Sequence, residues 1–298
     1  MTAPTAPTGA PRPHVLRRAL HAFRADLDRS TRIGLVLVAI TVLVALAAPL
    51  LAPYDPVATD AENALAGAGW DHWLGTDAYG RDVLSRLLLG GRFALTVALL
   101  ATVCAVVLGT IIGTIAAFYG RWVDSVISRL LDSILAVPAV LALLLIVSVF
   151  GNSIPVLVLA ISVVYVPAVA LVIRGATRPV LTSDYVRAAR ARGERAPSII
   201  FREVLPNILD VVLVEFAMRA SWVVLLVSTL SFLGFGVNPP APDWGLMIQE
   251  NRTALTVAPA GTLAPIVALA ALVVGLNLAA DGLGKYFGVD RAQRGVQS

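Results

Sequence analysis

Six apolar stretches, near residues 33–52, 93–117, 132–150, 154–174, 209–234 and 262–281, constrain this chain more than anything else in it. Each is close to the ~20 residues with which a helix rising ~1.5 Å per residue crosses the ~30 Å hydrocarbon core of a bilayer. Inside that core each backbone N–H and C=O must be satisfied without water, so an apolar run of this length becomes a helix. The fold class that follows is all-α, a polytopic membrane protein with six transmembrane helices. Composition agrees: 58% of residues are apolar and 14% charged, whereas soluble domains carry ~25% charged residues.

Arginine sets the expected orientation, since positive charge is retained on the cytoplasmic side. With the N-terminus inside, 18 of the 23 Lys and Arg residues fall in cytoplasmic segments. Only Arg81, Arg86, Arg92 and Arg252 fall outside, and Arg219 lies within the fifth run. Both termini are therefore expected in the cytoplasm. The organisation reads as a cytoplasmic basic tail (1–32), a first span (33–52), an extracytoplasmic segment (53–92), a five-helix core (93–281) and a second tail (282–298). Within the core, 175–208 is a cytoplasmic loop. The first run is too long, and the basic region before it too extended, for a cleaved signal peptide. The opening residues, rich in Pro, Thr and Ala, read as a disordered tail.

Several chemistries are missing. A phosphate-cradling loop needs G-x-x-x-x-G-K-[ST], but the single lysine, Lys285, has Ala279 at the first glycine position and Tyr286 after it. His14, His21 and His72 are too scattered for a zinc site. Cys104 is the only cysteine, so no internal disulfide forms. No Ser/His/acid set falls on one face of the membrane. The chain is expected not to be an enzyme by itself, and to hold no cofactor or metal.

The loop between the fourth and fifth runs is the exception to the apolar rule. In "DYVRAARARGERAPSIIFREVLPN" (184–207), Ser183 can cap a first short helix, with Asp184 beside its positive end. Gly193 suits a left-handed stop, Pro197 the first turn of a second helix, and Pro206 its end. Ala188, Ala189 and Ala191 would let another backbone approach, while Ile199, Ile200 and Val204 form an apolar stripe. Physics leaves two readings: a basic loop lying on anionic headgroups, or a docking knob for a cytoplasmic partner.

Within the fifth run, Glu215 and Arg219 stand four apart in the order that favours an intrahelical ion pair. A charge at mid-bilayer costs ~2.5–3.5 kcal/mol, so both should face the protein interior, as a structural pair or as a polar wall of a translocation path. Asn277 and Asp281 repeat the spacing, with Asp281 read as an end-cap at the interface. Ala105, Gly109, Gly113 and Ala117 put small residues on one face of the second run, a surface for close helix packing. In the external segment 72–86, helix-forming character follows Asp77, and Trp70 and Trp73 suit a membrane interface. That segment reads equally as one lying passively on the membrane.

The loop also carries a resemblance. Ala188-Ala189, Gly193 and Leu205-Pro206, in their spacing, resemble the EAA loop of permease subunits in bacterial ABC importers. The family's leading Glu is Arg187 here, and Glu203 stands where His or Ile is usual. "LAPYDP" (51–56), "LGTDAYGRDVLSRLLLGGR" (74–92) and "LSFLGFGVNPPAPDWGLMI" (230–248) are similar to the C-type permeases of dipeptide, oligopeptide and nickel importers, over nearly the whole chain. The resemblance implies a type I importer permease in the bacterial cytoplasmic membrane. It implies a second homologous permease, two ATPase subunits carrying ATP and magnesium, and an extracytoplasmic substrate-binding protein. Membrane lipid surrounds such a chain, and nucleic acid is not among its partners. Arg187, Ala188, Ala189, Gly193, Ile199, Ile200, Glu203, Leu205 and Pro206 would form the ATPase-coupling surface, while for Glu215 and Arg219 the structural and the translocation-path readings both stay open. Di- or oligopeptide is the expected substrate, nickel chelates or haem the alternatives, and an ion-driven secondary transporter the competing class.

Overall fold

Apolar runs long enough to leave no backbone group for water do become helices. A computed structural model describes residues 28–287. The two tails expected at the ends, including the disordered opening stretch, lie largely outside the described residues. Five helices are long and apolar enough to cross a membrane: α1 (Arg29–Leu51), α2 (Val83–Tyr119), α5 (Ile154–Leu181), α8 (Leu209–Phe232) and α10 (Ala260–Phe287). Between them come α3 (Arg121–Leu135), α4 (Ala139–Phe150), α6 (Asp184–Ala191), α7 (Ala196–Ile199) and α9 (Trp244–Asn251), and no strand occurs among the described residues.

The third apolar run departs from a straight span. α3 and α4 meet at an 81° bend. Pro138 occupies the N-cap of α4; it has no N–H to donate and keeps Val137 out of the helical region. The twelve residues of α4 rise only ~18 Å, short of a ~30 Å core. α3, nearly perpendicular to α4, is a two-faced helix, with Asp124, Arg129 and Asp132 in its sequence and Trp122 and Leu130 exposed at 73% and 62%. Element ends differ too. α2 starts at Val83, well before the apolar run at 93, and its 37 residues measure ~55 Å. α5 runs to Leu181 and α10 to Phe287, so Asp281 sits inside a helix instead of capping one.

Small residues set the closest packing. A Cβ on Gly109 would lie 2.6 Å from the Cβ of Val169, and one on Gly113 would collide with the Ala170 carbonyl. The stripe expected from sequence therefore joins α2 to α5 within this chain. α1 is held likewise to α10, where Gly34 and Gly275 leave no room for side chains. The principal core gathers Val97 and Ala101 from α2, Leu143 from α4, Ile161 from α5, Val223 and Leu230 from α8 and Leu272 from α10. Outward-facing residues are apolar as well (Leu43 64%, Leu50 91% exposed), as a bilayer-facing surface requires.

Candidate functional site

The 182–208 loop is built from its sequence as two short helices set at a glycine. The backbone at Gly193 adopts φ +73°. Around it the Gly193 N–H donates to the Arg190 carbonyl at 3.0 Å and the Glu194 N–H to the Ala189 carbonyl at 3.2 Å. These two bonds form a complete Schellman stop. A side chain at Gly193 would meet nothing within 4 Å, so glycine is required by backbone conformation alone. Ser183 does stand at the N-cap of α6, but it makes no capping bond; its Oγ donates to the Val180 carbonyl at 2.6 Å instead.

Pro197 falls in the first turn of α7, as its spacing predicts. The end of that segment is different. Pro206 does not cut the helix off: the chain widens into a π turn over Ile200–Val204 and then tightens into a 3-10 turn over Leu205–Asn207. Pro206 cannot donate to the Arg202 carbonyl and its ring crowds that turn, so the preceding turn opens. The Leu205 N–H accordingly reaches back to the Ile200 carbonyl.

The loop has an inner and an outer face. Val186, Ala189, Ile199 and Val204 are buried against Val106 of α2, Val169 and Ile173 of α5, and Ile208. Ala189 is fully buried by this chain's own helices, so it cannot meet a partner as expected, and Ile199 likewise points inward. Ala188, Arg187 and Arg192 are exposed, and Ile200 and Glu203 half-buried. Pro206 is exposed and Leu205 partly covered. The arginines are engaged locally. Arg190 lies 5.2 Å over the ring of Phe118 at the end of α2, and Arg192 donates to Glu194 at 2.6 Å, holding that carboxyl below its usual range. Sequence reading missed Phe201, a 70%-exposed aromatic within the π turn.

Two ion-pair groups lie on the helices that flank this loop. Arg174 and Arg178, on the last turns of α5, both donate to Asp124 of α3, at 2.6 and 2.8 Å. On α8 the Arg219 Nε donates to the Glu215 carboxylate at 2.5 Å. Glu215 is buried and Arg219 mostly so, with side-chain exposures of 5% and 19%, and the pair forms as its spacing predicts. One turn on, Ser221 approaches Asn277 of α10 at 3.3 Å.

The opposite end holds a constellation that sequence reading did not assemble. The 72–86 segment is no passive surface helix: it is a folded loop until Val83, closed by a bridge between Thr76 and Asp82. Asp77 accepts the Arg81 Nε at 2.6 Å, and Arg81 Nη2 reaches Glu250 of α9 at 2.6 Å. Arg86 joins Glu250 at 3.1 Å and donates to the carbonyls of Pro56 and Pro240, both at 3.0 Å. Asp77, Arg81 and Arg86 are buried to 3% exposure or less. Beside them Asp82 caps α2 and meets His72 at 2.9 Å, and Trp244 lies over Gly90 and Gly91 with its Nε1 donating to the Leu87 carbonyl. Asp243 caps α9 through the Leu246 N–H, fully buried, and that burial pushes its carboxyl up to about 6. The available signal was that acids and arginines alternate in one external segment of a charge-poor chain.

Comparison with known proteins follows the same lines. Residues 82–290 match the family of binding-protein-dependent transport system inner membrane components. Residues 16–67 match the N-terminal transmembrane domain of oligopeptide transport permease C. A dipeptide transport system permease of Alkalihalophilus pseudofirmus is 36% identical over 251 residues, covering 84% of this chain and 83% of the relative. A glutathione transport system permease of Pectobacterium atrosepticum is 33% identical over 247 residues, 83% and 82% of the two chains. Its Escherichia coli O157:H7 counterpart is 32% identical over 275 residues, 91% of each.

Proposed function

The chain belongs to the family of binding-protein-dependent transport system inner membrane components, and from that premise we propose that it is the permease subunit through which ATP-driven conformational change moves short peptides into the cell. As an ABC importer permease it is a multi-pass membrane protein and not itself catalytic. ATP and magnesium belong to two ATPase subunits on its cytoplasmic face, and a second homologous permease completes the channel. A soluble binding protein delivers substrate to the opposite face. Both termini and the 182–208 loop lie on the cytoplasmic side, in keeping with the arginine bias.

One observation carries this reading: the loop is fixed to the spans by its inner face and leaves its outer face uncovered. Val186, Ala189, Ile199 and Val204 are locked against α2 and α5, while Arg187, Ala188 and Phe201 are free to meet another surface. A push on the outer face is transmitted to α2 and α5 through packed side chains, which move as a body because cores do not deform continuously. The Asp124 tie to Arg174 and Arg178 links α3 to the same movement. At the far end the Asp77–Arg81–Arg86–Glu250 cluster holds the loop after α1 to α9, so the face that receives substrate stays rigid.

Peptides are the favoured substrate, because the relatives are named for dipeptide and glutathione transport. Glutathione is itself a tripeptide, so one class of cargo covers both names. Polar side chains on α8 and α10 suit such a cargo: Glu215 and Arg219 would meet its termini, and Ser221 and the exposed Asn277 its amides. The test is ATP hydrolysis by the assembled complex in lipid discs with its binding protein. Stimulation by dipeptides or glutathione is expected. Stimulation by nickel chelates or haem alone would overturn the peptide assignment while leaving the permease role intact.

A further inference from the structure

Among the described arginines without a side-chain partner, Arg92 is the one that lines an apolar cleft. It belongs to no ion pair or hydrogen bond among the described residues, although it sits on α2, immediately before the apolar run that starts at Phe93. Arg81 and Arg86, on the same stretch of chain, are both paired. A cation at the edge of hydrocarbon keeps its head at the interface and rests its stem on apolar surface. Here that surface is a cleft.

The cleft, about 400 Å3, opens between four helices. Val38, Val42 and Leu46 line it from α1, Arg92, Thr96 and Leu99 from α2, Phe216 and Ala220 from α8, and Leu272 and Leu276 from α10. The spacings of three and four residues put each set on one face of its helix. α1 is pressed against α10 near the loop end, where Gly34 meets Gly275. Toward its other end α1 is packed again through Ala48, which is fully buried, and the cleft lies along the helix between these two contacts. Its walls are apolar throughout except for Arg92 and Thr96.

We propose that this cleft is a binding site for an anionic glycerophospholipid of the extracytoplasmic leaflet, with one acyl chain between α1 and the core and the phosphate on Arg92. The charge decides between occupants. A helix of another subunit would have to bring an acid to the hydrocarbon edge to satisfy Arg92, at the cost such groups carry there. A phospholipid brings a phosphate at that level and an apolar chain below it, which matches the order of the lining residues. Thr96, one turn further in, adds a hydroxyl within reach of the glycerol esters. The bound lipid would complete the packing of α1, which otherwise touches the core over a limited face.

The test uses the chain purified with the subunits that accompany it, in discs of phosphatidylcholine containing graded phosphatidylglycerol, with retained lipid counted by native mass spectrometry. Preferential retention of phosphatidylglycerol is expected. Arg92→Gln should lower that retention about five-fold, the worth of one basic side chain against an anionic headgroup. Arg92→Lys should keep the preference, and Ala220→Phe, which fills the cleft below an intact rim, should abolish retention of the bound lipid. Subunit stoichiometry in the same spectra shows whether each variant assembles. Equal retention of the two lipids by the unaltered complex overturns the proposal, as does unchanged selectivity in Arg92→Gln. A disulfide between Val42→Cys and a cysteine scanned along the second permease would put protein in the cleft and also overturn it.

Discussion

The two ends of this molecule use arginine in opposite ways. At the loop end, Arg187 and Arg192 remain largely in solvent (72% and 58% exposed), and apolar residues beneath them hold the structure. At the far end, Arg81 and Arg86 are buried (3% and 0%), and they themselves hold the structure by joining two stretches of chain to Glu250. Water is the difference. An exposed pair is screened and contributes little to stability, so those charges are available for a partner. A buried pair is costly to form and costlier to break from one side, so it locks a geometry. The loop end keeps its charges in solvent, as the proposed docking on an ATPase needs, and the far end uses them internally.

The sharpest way to break the contrast is to remove one buried partner. Arg86→Ala leaves Glu250 without one of its two cations and strips the Pro56 and Pro240 carbonyls of their donor. Removing one member of such a set costs ~3–5 kcal/mol. The expected result is a large fall in assembled complex and rapid proteolysis between residues 53 and 82. Normal yield and a normal melting temperature would show that the cluster does not lock this end.

A second buried acid at the same end carries a pH signature. The Asp243 carboxyl is raised from 3.8 to about 6 by burial, the Leu246 N–H bond opposing. Because the folded value is the higher, the folded protein holds a proton that the unfolded chain has released between these two values. Stability from this group is therefore fullest below pH ~4, falls as pH rises to about 6, and is flat above. The span corresponds to roughly 3 kcal/mol. Asp243→Asn, which keeps an acceptor for the Leu246 N–H, should raise the melting temperature at pH 8 and flatten its slope between pH 4.5 and 6. An unchanged slope would mean that Asp243 does not titrate in this window.

A smaller effect is expected at the loop. Gly193→Val meets no atom but must hold φ +73°, a strain of ~1–2 kcal/mol for a residue with a Cβ. Insertion and yield should be near normal, because the spans are untouched. ATPase copurification or substrate-stimulated hydrolysis should fall, as the second helix is redirected. Full coupling in this variant would separate the loop's geometry from its role.

How much of this was readable beforehand follows from where the information lies. Helices and the Gly193 stop are local: apolar length and a left-handed residue are properties of a few consecutive positions. The Glu215–Arg219 pair was legible for the same reason, both residues being on one helix. Arg81 and Glu250 lie 169 residues apart, so nothing local announces them. The break at Pro138 was masked by an apolar run that continued across it. Ala189 has the residue type of a contact surface, and only its place on the helix shows that it faces inward.

The smallest structural effect should accompany a clear functional one. Arg187 and Arg192 pair with Asp184, which is fully exposed, and with Glu194, which is partly so. Replacing both arginines with Gln therefore should leave yield and melting temperature indistinguishable from those of the unaltered complex. If the outer face docks on an ATPase, hydrolysis coupled to substrate should nevertheless fall, and the loss should deepen as salt is raised, because screening weakens the remaining charge contacts. A loop that merely rests on lipid gives a different pair of results. The glutamine variant would be impaired only in membranes rich in anionic lipid, and Gly193→Val, whose charge is unaltered, would couple normally. Measured side by side, the two variants separate docking by shape and charge from attraction by charge alone, which is the distinction that the exposed arginines of this end pose and the buried ones of the other end do not.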